Sequence, residues 1–555
     1  MAIRRRAGRD RRVAGLPEDL ATIAHDIGSL LVAQATMMAL TVCVALVWRE
    51  PYQALAFLVA GGVTASVGFG ARWLFAAAPA PRMKHGMVIA AGGWFATAVF
   101  GALPLFLSAS LTPPAVAASF VPAGAEYATS SLAAFANPLH ALFESMSGWT
   151  GSGLTMAVHE PSLPRTVQWW RSFIQWVGGV GVIVLTVSVL ARPGSGSYAL
   201  YRSEAREERI HPSIVSTVRT VWKIFLGYTA LSVVALFLAI SASEYGASLT
   251  PVEAAWQALN HAMTGLSTGG FSVTDDSIAT YDSPLIEGVL LPVMALGAIA
   301  FPVHYAVLRE RDLAALSGDL QTRWLFVLFA AGSLVLSAQN VALLSRTTGA
   351  FTGDWLGLST LFGPGVGDVV RDSVFQFVSA LSATGFQSAP IGEWSAGGKL
   401  LVAVAMTIGG AAGSTVGGIK IIRAYTVARG IRWQFGRVFL PANAIVSVTL
   451  GDRRLDRDEM EREFSEASIV SLLWIVLLVA SSILLADLAG PAFSYADALF
   501  EVASAQGNVG LSTGITGPSM PPLAEAMFLL NMWVGRLEII PMLALIRSLL
   551  YGMDP

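Results

Sequence analysis

The sequence predicts an all-α polytopic membrane protein with about ten transmembrane helices. Of its 555 residues, 54% are hydrophobic and only 13% are charged, which leaves too little polar surface for an ordinary soluble domain. Many apolar runs reach the roughly 20 residues that cross a bilayer as a helix. A short segment also recurs four times at nearly constant spacing, which indicates an internal repeat.

Ten apolar segments are predicted to span the membrane. They lie at about 27–48, 53–77, 86–110, 168–190, 221–241, 284–308, 324–344, 398–428, 466–489 and 522–551. The first follows an arginine-rich start, but it is too long for a signal peptide and lacks a clear cleavage site. Residues 242–283 and 488–523 contain no Lys or Arg, whereas 429–462 contains seven arginines. The positive-inside rule therefore predicts a cytoplasmic N-terminus.

The repeated segments, here loops 1 to 4, share a glycine that is followed by a large apolar residue. They read SMSGWTGSGLT at 145–155, AMTGLSTGGFS at 262–272, VSALSATGFQS at 378–388 and ASAQGNVGLST at 503–513. The loop glycines are Gly153, Gly270, Gly385 and Gly510, spaced by 117, 115 and 125 residues. A small hydroxyl residue stands six positions before each glycine: Ser147, Thr264, Ser379 and Ser504.

Each loop lies on the outer side between two spans and follows a shorter helical stretch. These stretches are predicted at about 133–147, 249–263, 369–381 and 494–505, with start signals at Thr250-Pro251 and at Ser494 with Asp497. Irregular backbone at membrane depth is tolerated where it lines a cavity or is enclosed by protein. We therefore predict four units of helix, short re-entrant helix, loop and helix around one shared pathway.

This arrangement favours a cation pathway lined by backbone carbonyls. Carbonyl oxygens replace the hydration shell of a monovalent cation without a fixed charge that would trap it, and the C-terminal ends of the short helices add partial negative charge. In loop 2 either Gly269 or Gly270 could be the loop glycine, and the spacing to Thr264 favours Gly270. The candidate ion-coordinating residues are Gly151, Ser152, Gly153, Thr268, Gly269, Gly270, Ala383, Thr384, Gly385, Asn508, Val509 and Gly510.

A glycine-rich segment at 406–420, MTIGGAAGSTVGGIK, interrupts another predicted span. Five glycines between 409 and 418 each cost roughly 1 kcal/mol relative to alanine in a helix, which predicts a break whose polar backbone could plug an aqueous path. Close helix packing is the alternative. A phosphate-binding loop is excluded, because Ile419-Lys420 follows the glycines where that motif needs Lys-Ser/Thr.

Arg536 lies in a further apolar span, close to Glu538. A charge there costs at least about 2.5–3.5 kcal/mol, so we expect it to face the pore or a partner. The candidate gate residues are Gly409, Gly410, Gly413, Ser414, Thr415, Gly417, Gly418, Lys420 and Arg536.

Other polar residues give weaker signals. Asp275 and Asp276 follow loop 2 and could attract cations, or could lie in an ordinary solvated loop. The histidines lack a metal-ligand spacing and are expected to be structural. They are His140, His159, His261 and His304.

The four units resemble the superfamily of Trk, Ktr and HKT potassium transporters, and most closely its bacterial Trk branch. The similarity covers about residues 86–551 and is carried by SGWTGSGLT, GGFSVTDDS, MTIGGAAGSTVGGIK and NMWVGRLE. It implies one filter glycine per unit, a gating loop below the filter and a pore arginine. Loop 1 has Gly151 and Ser152 where Thr-Thr is frequent, and Gly153 stands where a serine is associated with sodium transport, which favours potassium.

The resemblance also implies K⁺ as the transported ion, with no enzymatic activity and no organic cofactor. It implies a homodimer in the bacterial cytoplasmic membrane, surrounded by lipid and regulated by a cytosolic nucleotide-binding ring subunit. No nucleic-acid partner is expected, because an arginine-rich segment such as 423–463 is normal in a cytoplasmic loop of a membrane protein. The alternatives are a secondary transporter that couples Na⁺ or H⁺ to another solute, which would predict inverted repeats, and a sodium-permeable member of the same superfamily.

The expected organisation follows from these spans and loops. A basic N-terminus (1–26) precedes two leading helices (27–80), and a cytoplasmic linker (431–463) precedes the last unit. The four pore units are expected at 86–190, 219–310, 323–430 and 464–555.

Overall fold

Two long helices lead the chain, α1 (Glu18–Val47) and α2 (Pro51–Leu74). They pack along each other and against the next helix, and they approach most closely at two glycines. A Cβ built on Gly28 would lie 2.8 Å from the carbonyl oxygen of Gly68. The computed structural model describes residues 12–13, 15–190, 214–347, 365–439, 448–451, 453–537 and 539–553. The first eleven residues, the basic segment 202–209 and Glu538 lie outside this range.

Four units follow. In each, a first helix (the outer helix) is followed by a shorter helix that leads into one of loops 1 to 4 (here called the pore helix), and the helix or bent pair after the loop is the inner helix. Unit 1 contains α3 (Met83–Leu111), α4 (Pro138–Thr150) and α5 (Arg165–Leu190). Unit 2 contains α6 (Ile214–Ala242), α7 (Pro251–Leu266), α8 (Pro284–Ala298) and α9 (Phe301–Tyr305). Unit 3 contains α10 (Leu320–Thr347), α11 (Val366–Leu381), α12 (Ala396–Thr407) and α13 (Ile421–Arg437). Unit 4 contains α14 (Arg457–Leu488), α15 (Tyr495–Gly507), α16 (Pro522–Leu537) and α17 (Ile539–Tyr551).

The remaining described elements are short. They include the helices Pro114–Ala118 and Ala315–Gly318, several single helical turns, and the antiparallel hairpins β1 (Arg12–Val13) with β2 (Leu16–Pro17) and β3 (Val448–Leu450) with β4 (Arg453–Leu455). Most of the described chain is helical, and the predicted fold class, an all-α polytopic membrane protein, is confirmed.

The pore helices α4, α7 and α15 begin at side-chain caps. Asn137, Thr250 and Ser494 each accept a hydrogen bond from a backbone N–H in the first turn, which satisfies donors that a helix start leaves free. Helix α4 starts later than the predicted position 133, because residues Ser131–Ala136 form a separate 3₁₀ turn ahead of Pro138. Proline is favoured at the first helical position and sets this start.

Two spans predicted as single helices are bent. Helices α8 and α9 meet at 110°, and α16 and α17 meet at 113°. Pro302 explains the first bend, because it has no N–H for the carbonyl of Ala298; that carbonyl accepts from Ala411 N–H at 3.1 Å. The predicted span 398–428 is likewise interrupted between Thr407 and Ile421. Only unit 1 has an inner helix, α5, that is described without a break.

The length and apolar composition of the described helices show which of the ten predicted spans could cross a membrane. Among the described helices, α1, α2, α3, α6, α10 and α14 are long and apolar enough to cross a membrane, and the two bent pairs raise that number from six to eight. The other two predicted spans correspond to α5 and to the interrupted pair α12–α13. These helices surround the pore helices, which lie in the largest buried apolar cluster.

Candidate functional site

Loops 1 to 4 meet in a closed ring. Each loop glycine lies so close to the backbone of the next loop that an added Cβ would collide with a carbonyl oxygen. The colliding pairs are Gly153 with Gly269, Gly270 with Thr384, Gly385 with Val509, and Gly510 with Ser152. The contacts run from loop 1 to 2, 3, 4 and back to 1, so the four units surround one axis in chain order.

The backbone has the same hand in all four loops. The loop glycines have φ of 75°, 74°, 80° and 109° in chain order, and the residues two positions earlier have φ of 70°, 52°, 50° and 55°. These earlier residues are Gly151, Thr268, Ala383 and Asn508. The residue between each pair has no positive φ, so the sign of φ alternates through each loop. Gly270, and not Gly269, has the geometry of the other loop glycines.

One backbone hydrogen bond also repeats in every unit. The N–H of the residue before each loop glycine donates to the carbonyl of the hydroxyl residue five positions earlier, at 2.8–2.9 Å. In units 2 and 3 the hydroxyl groups of Thr264 and Ser379 donate to the carbonyls of Phe271 and Phe386, both at 2.8 Å. Ser504 Oγ accepts from Gly510 N–H at 3.0 Å. The hydroxyl residues noted in the sequence therefore tie each loop to its pore helix.

The large residue after each loop glycine faces away from the ring into the protein. All four are at most 1% exposed and belong to one apolar cluster. They are Leu154, Phe271, Phe386 and Leu511. Burial of this size anchors each loop by about 1.5–3 kcal/mol.

A buried polar side chain nine residues before each loop glycine holds the outer end of the same loop, and sequence analysis missed this set. Glu144 accepts from Thr155 Oγ1 at 2.9 Å and from Met156 N–H at 2.8 Å. Glu501 accepts from Ser512 Oγ at 2.6 Å, from Thr513 N–H at 2.7 Å and from Thr516 Oγ1 at 2.6 Å.

Units 2 and 3 carry an imidazole and an amide at the same position, those of His261 and Gln376. His261 Nε2 lies 3.0 Å from Ser272 Oγ, and its Nδ1 lies 3.0 Å from Tyr281 Oη. Gln376, with its amide oriented to match both groups, accepts from the N–H groups of Ser388 at 2.6 Å and Ala389 at 3.1 Å. The four residues of this set share only their position, nine residues before the loop glycine, while the residue type changes between units.

Helix α5 of unit 1 braces loop 2 through two side chains one turn apart. Arg171 donates to Glu144 Oε1 at 2.6 Å and to the carbonyl of Ser272 at 3.0 Å, and its guanidinium lies 4.2 Å from the ring centre of Phe271. Gln175 donates to the carbonyl of Gly269 at 2.6 Å and accepts from Phe271 N–H at 3.0 Å. Both side chains are at most 1% exposed, so loop 2 is held from a neighbouring unit.

The segment 408–420 forms a compact glycine-rich loop between α12 and α13. Gly409 N–H donates to Ile419 O at 2.8 Å, and Ile419 N–H donates to Thr407 O at 3.0 Å, which closes the base of the loop. Gly413 and Gly418 have φ of 78° and 70°. A Cβ on Gly409 would overlap the carbonyl of Gly417. The glycines are therefore required by tight backbone folding.

The glycine-rich loop contacts both the bent inner helix of unit 2 and loop 2. Thr415 donates to Gly297 O through its N–H at 3.2 Å and through Oγ1 at 3.0 Å, and Oγ1 lies 2.9 Å from Thr268 Oγ1. Within the loop, Ser414 Oγ donates to Ala411 O at 2.6 Å and Lys420 Nζ donates to Val416 O. A Cβ on Gly410 would lie 3.0 Å from Ala298 O, and one on Gly417 would lie 2.6 Å from Gly507 O.

Arg536 joins the glycine-rich loop to α5. Its guanidinium donates to the carbonyl of Thr415 at 2.5 Å and to the carbonyls of Gly178 and Gly179 at 3.0 and 3.2 Å. A Cβ on Gly151 would lie 3.7 Å from its Nη1, so the charge sits next to loop 1. The structure thus brings together the candidate gate residues, and it places them against the ring of loops.

Pairs of polar side chains, three of them between oppositely charged groups and one between His140 and Glu525, link consecutive units around the outer end of the ring. At each boundary, a residue on or just before the inner helix of one unit pairs with the pore helix of another. The four pairs are Arg165–Glu253, Asp282–Arg371 at 2.8 Å, Lys399–Asp497 at 2.5 Å and Glu525–His140 at 2.9 Å. Glu287 of α8 also lies 3.5 Å from Arg371.

The other candidates lie at the outer surface or within the helices. Asp275 lies 3.3 Å from His159 Nδ1 and accepts from Tyr127 Oη at 3.4 Å, and the Tyr127 and His159 rings stack at 3.6 Å. Burial raises the pKa of the Asp275 carboxyl, and burial together with the Asp275 charge raises the pKa of Tyr127 to about 12. Asp276 is exposed. Among the described residues, no group of three or more His, Cys, Asp or Glu side chains could hold a metal ion.

Comparison with known proteins gives one consistent family. The sequence model of TrkH, described as a cation transport protein, matches residues 85–551. An uncharacterized cation transporter of Methanocaldococcus jannaschii, MJ1485, is 30% identical over 96% of this chain and 97% of its own length. The Trk system potassium uptake protein TrkH of Escherichia coli K12 is 29% identical over 73% of this chain and 78% of its own length.

A solved structure shows the same fold. The potassium transporter TrkH from Vibrio parahaemolyticus superposes with a TM-score of 0.74, covering 96% of this chain and 99% of the other at 23% identity. The Halomonas elongata protein of the same name is 28% identical over 95% of this chain and 98% of its own length. The resemblance deduced from the repeated loops is confirmed.

Proposed function

Because the chain belongs to the TrkH family of cation transport proteins, as a Trk-type potassium-uptake membrane subunit, we propose that K⁺ crosses the membrane through the ring of loops 1 to 4. The ring is the observation that carries this proposal. Four loops with the same alternating hand surround one axis, and such backbone can present several carbonyl oxygens to one monovalent ion.

The ion would be selected by backbone atoms more than by charged side chains. The pore helices end at the ring, so their C-terminal partial charges favour a cation there. Gly153, where a serine would indicate sodium transport, supports K⁺ as the preferred ion. The pathway would be passive, driven by the electrochemical gradient.

The glycine-rich loop and Arg536 would close the pathway below the ring. Supporting this role, the loop is attached by hydrogen bonds to α8, loop 2 and Arg536. A buried guanidinium beside loop 1 also opposes the passage of a cation by charge repulsion. Movement of the glycine-rich loop would therefore open the path and, at the same time, break its contact with Arg536 and reduce the electrostatic barrier to a cation.

The protein would act as a membrane subunit of a larger system. We infer a homodimer in the bacterial cytoplasmic membrane, with the N-terminus in the cytoplasm and a cytosolic nucleotide-binding ring as regulator. The relatives named as Trk system potassium uptake proteins support this assignment, and the arginine content of 429–462 suits the cytoplasmic side.

Flux of radioactive Rb⁺ into liposomes that contain the purified chain tests the function directly. We expect uptake that is driven by a K⁺ gradient and competed by K⁺ more strongly than by Na⁺. Uptake that requires another solute would indicate a secondary transporter, and equal competition by Na⁺ would indicate a sodium-permeable pathway.

Gly385→Ala tests the ring itself. Its Cβ would overlap the carbonyl of Val509 at a φ of 80°, and overpacking of this kind costs about 1–3 kcal/mol. We expect Rb⁺ uptake to fall by roughly tenfold or more. Gly514→Ala is the matched control, since Gly514 also has a positive φ, 99°, but has nothing within 4 Å of an added Cβ. Equal uptake by the two variants would contradict a filter role for Gly385.

A further inference from the structure

The four loops are not equivalent, because the amide side chain of Gln175 forms hydrogen bonds with the backbone of loop 2. Gln175 Nε2 donates to the carbonyl of Gly269 at 2.6 Å, immediately before the loop glycine Gly270. Its Oε1 accepts from Phe271 N–H at 3.0 Å, immediately after that glycine. Gln175 thus holds both peptide groups that flank Gly270, and it is completely buried.

The corresponding carbonyls of the other loops are not held in this way. Within the described residues, the carbonyl oxygens of Ser152, Thr384 and Val509 accept no hydrogen bond from a side chain or from the backbone. All four carbonyls approach the glycine of a neighbouring loop. Of the four carbonyl oxygens that precede the loop glycines, three therefore accept no hydrogen bond within the described residues, and the fourth, that of Gly269, accepts one from Gln175.

The inner helices show that this asymmetry is a local feature of unit 1. The eleventh residue of α5, counted from Arg165, is Gln175. The eleventh residues of α8, α12 and α16 are Met294, Met406 and Met532. All three methionines are completely buried. An apolar side chain of similar length therefore fits this position in three units, and among the four inner helices only α5 carries an amide there.

Gly269 is explained by the same contact. A Cβ on Gly269 would lie 2.6 Å from the amide carbon of Gln175, and Gly269 has no positive φ. The two glycines of loop 2 thus have different causes: Gly270 permits the left-handed backbone, and Gly269 leaves room for the side chain of Gln175.

We propose that Gln175 is a positioning residue that weakens ion binding in the ring by donating a hydrogen bond to the carbonyl of Gly269. The proposal rests on the proposed function. An N–H group at this distance places partial positive charge beside the oxygen and lowers the negative potential that a cation would meet. A weaker site releases its ion faster, which conduction requires.

Gln175→Met tests this proposal with the side chain that the other units carry. Removing a hydrogen bond of ordinary strength changes an interaction by about 0.5–1.5 kcal/mol. We therefore expect the half-saturating Rb⁺ concentration in liposomes to fall by roughly threefold, with a lower maximal rate. Damage to folding alone would lower the maximal rate and leave half-saturation unchanged or raised.

Gln168→Met is the matched control on the same helix. Gln168 is also completely buried, but its amide binds the carbonyls of Glu160 and Leu163 and the indole of Trp256, away from the ring. We expect its half-saturating concentration to equal that of the unsubstituted protein. Gln175→Asn provides a second test, because the shorter amide cannot reach both peptide groups, and it should lower half-saturation in the same direction.

The outcomes separate this proposal from the function on which it rests. If the unsubstituted protein carries no Rb⁺, the proposed function fails. The other informative case is that the unsubstituted protein and Gln168→Met both carry Rb⁺. If folded Gln175→Met and Gln175→Asn then have half-saturating Rb⁺ concentrations equal to or above those of these two proteins, the role of Gln175 is overturned and the pathway stands.

Discussion

Single side chains on the pore helices determine the shape of the loops that follow. Glu501 collects donors from Ser512, Thr513, Ile515 and Thr516, although it lies nine residues before Gly510. A carboxylate with two oxygens can accept several hydrogen bonds at once. The chain outside loop 4 is therefore organised around one buried group.

Glu501→Met and Glu501→Gln should separate hydrogen bonding from packing at this residue. Methionine leaves several buried donors unmatched, each at a cost of about 1–3 kcal/mol, so we expect the loss of Rb⁺ uptake and a lower unfolding temperature. Glutamine keeps an acceptor oxygen, as Gln376 does in unit 3, and should retain much of the uptake. Similar uptake by the methionine and glutamine variants would show that the hydrogen bonds do not matter.

Residue-level features of the site were predictable to different degrees. Gly153 and its counterparts could be identified because one residue type recurs at one spacing. The residues that hold the loops could not, because Glu144, His261, Gln376 and Glu501 differ in chemistry. His261 was expected to be structural on the ground that it lacks metal-ligand spacing, and the structure shows it contacting Ser272 and Tyr281.

At the level of helices, the inner helices differ in continuity. Five glycines between 409 and 418 signalled the interruption between α12 and α13. The bends at α8–α9 and α16–α17 were missed, because prolines within an apolar run are compatible with a continuous transmembrane helix. The freed carbonyls of Gly297 and Ala298 are bound by the glycine-rich loop, a partner more than 100 residues away that local sequence cannot reveal.

Arg536→Ala tests whether the contact between inner helices restrains the pathway. The substitution removes the hydrogen bonds to Thr415, Gly178 and Gly179 together with the positive charge. Because bonds to a charged group are worth about 1.5–3 kcal/mol, we expect resting Rb⁺ flux to rise by roughly tenfold. Arg536→Lys keeps the charge and should stay near the original flux. Unchanged flux for Arg536→Ala at equal protein amount would discard the barrier role.

Across the whole molecule, three ion pairs and the hydrogen bond between His140 and Glu525 join the units at the outer end of the ring. Lys399 and Asp497 are each about 9% exposed in their side chains and lie 2.5 Å apart. Lys399 and Asp497 are 98 residues apart in the sequence, and His140 and Glu525 are 385 residues apart. Positive-inside topology predicts which side of the membrane these residues occupy, but pairing over such distances depends on the assembled fold.

Lys399→Met should separate this buried pair from exposed ones. It leaves Asp497 without its partner, and breaking a buried pair costs about 3–5 kcal/mol, so we expect a clearly lower unfolding temperature in detergent. Adding Asp497→Asn should restore much of the loss. Arg462→Met is the control, since the Arg462–Glu466 pair is exposed and is worth at most about 1 kcal/mol. An equal effect of both single substitutions would contradict a role for the pair in holding units together.

Closure of the ring between its last and first units has a consequence for biosynthesis. Gly510 lies against Ser152 and Gly153, and Glu525 binds His140, so the segment that completes the ring is translated after the first three units. Until unit 4 is inserted, loops 1 and 3 each have one side without a neighbour. A ribosome that stops before unit 4 therefore leaves loops 1 to 3 without the segment that closes the ring.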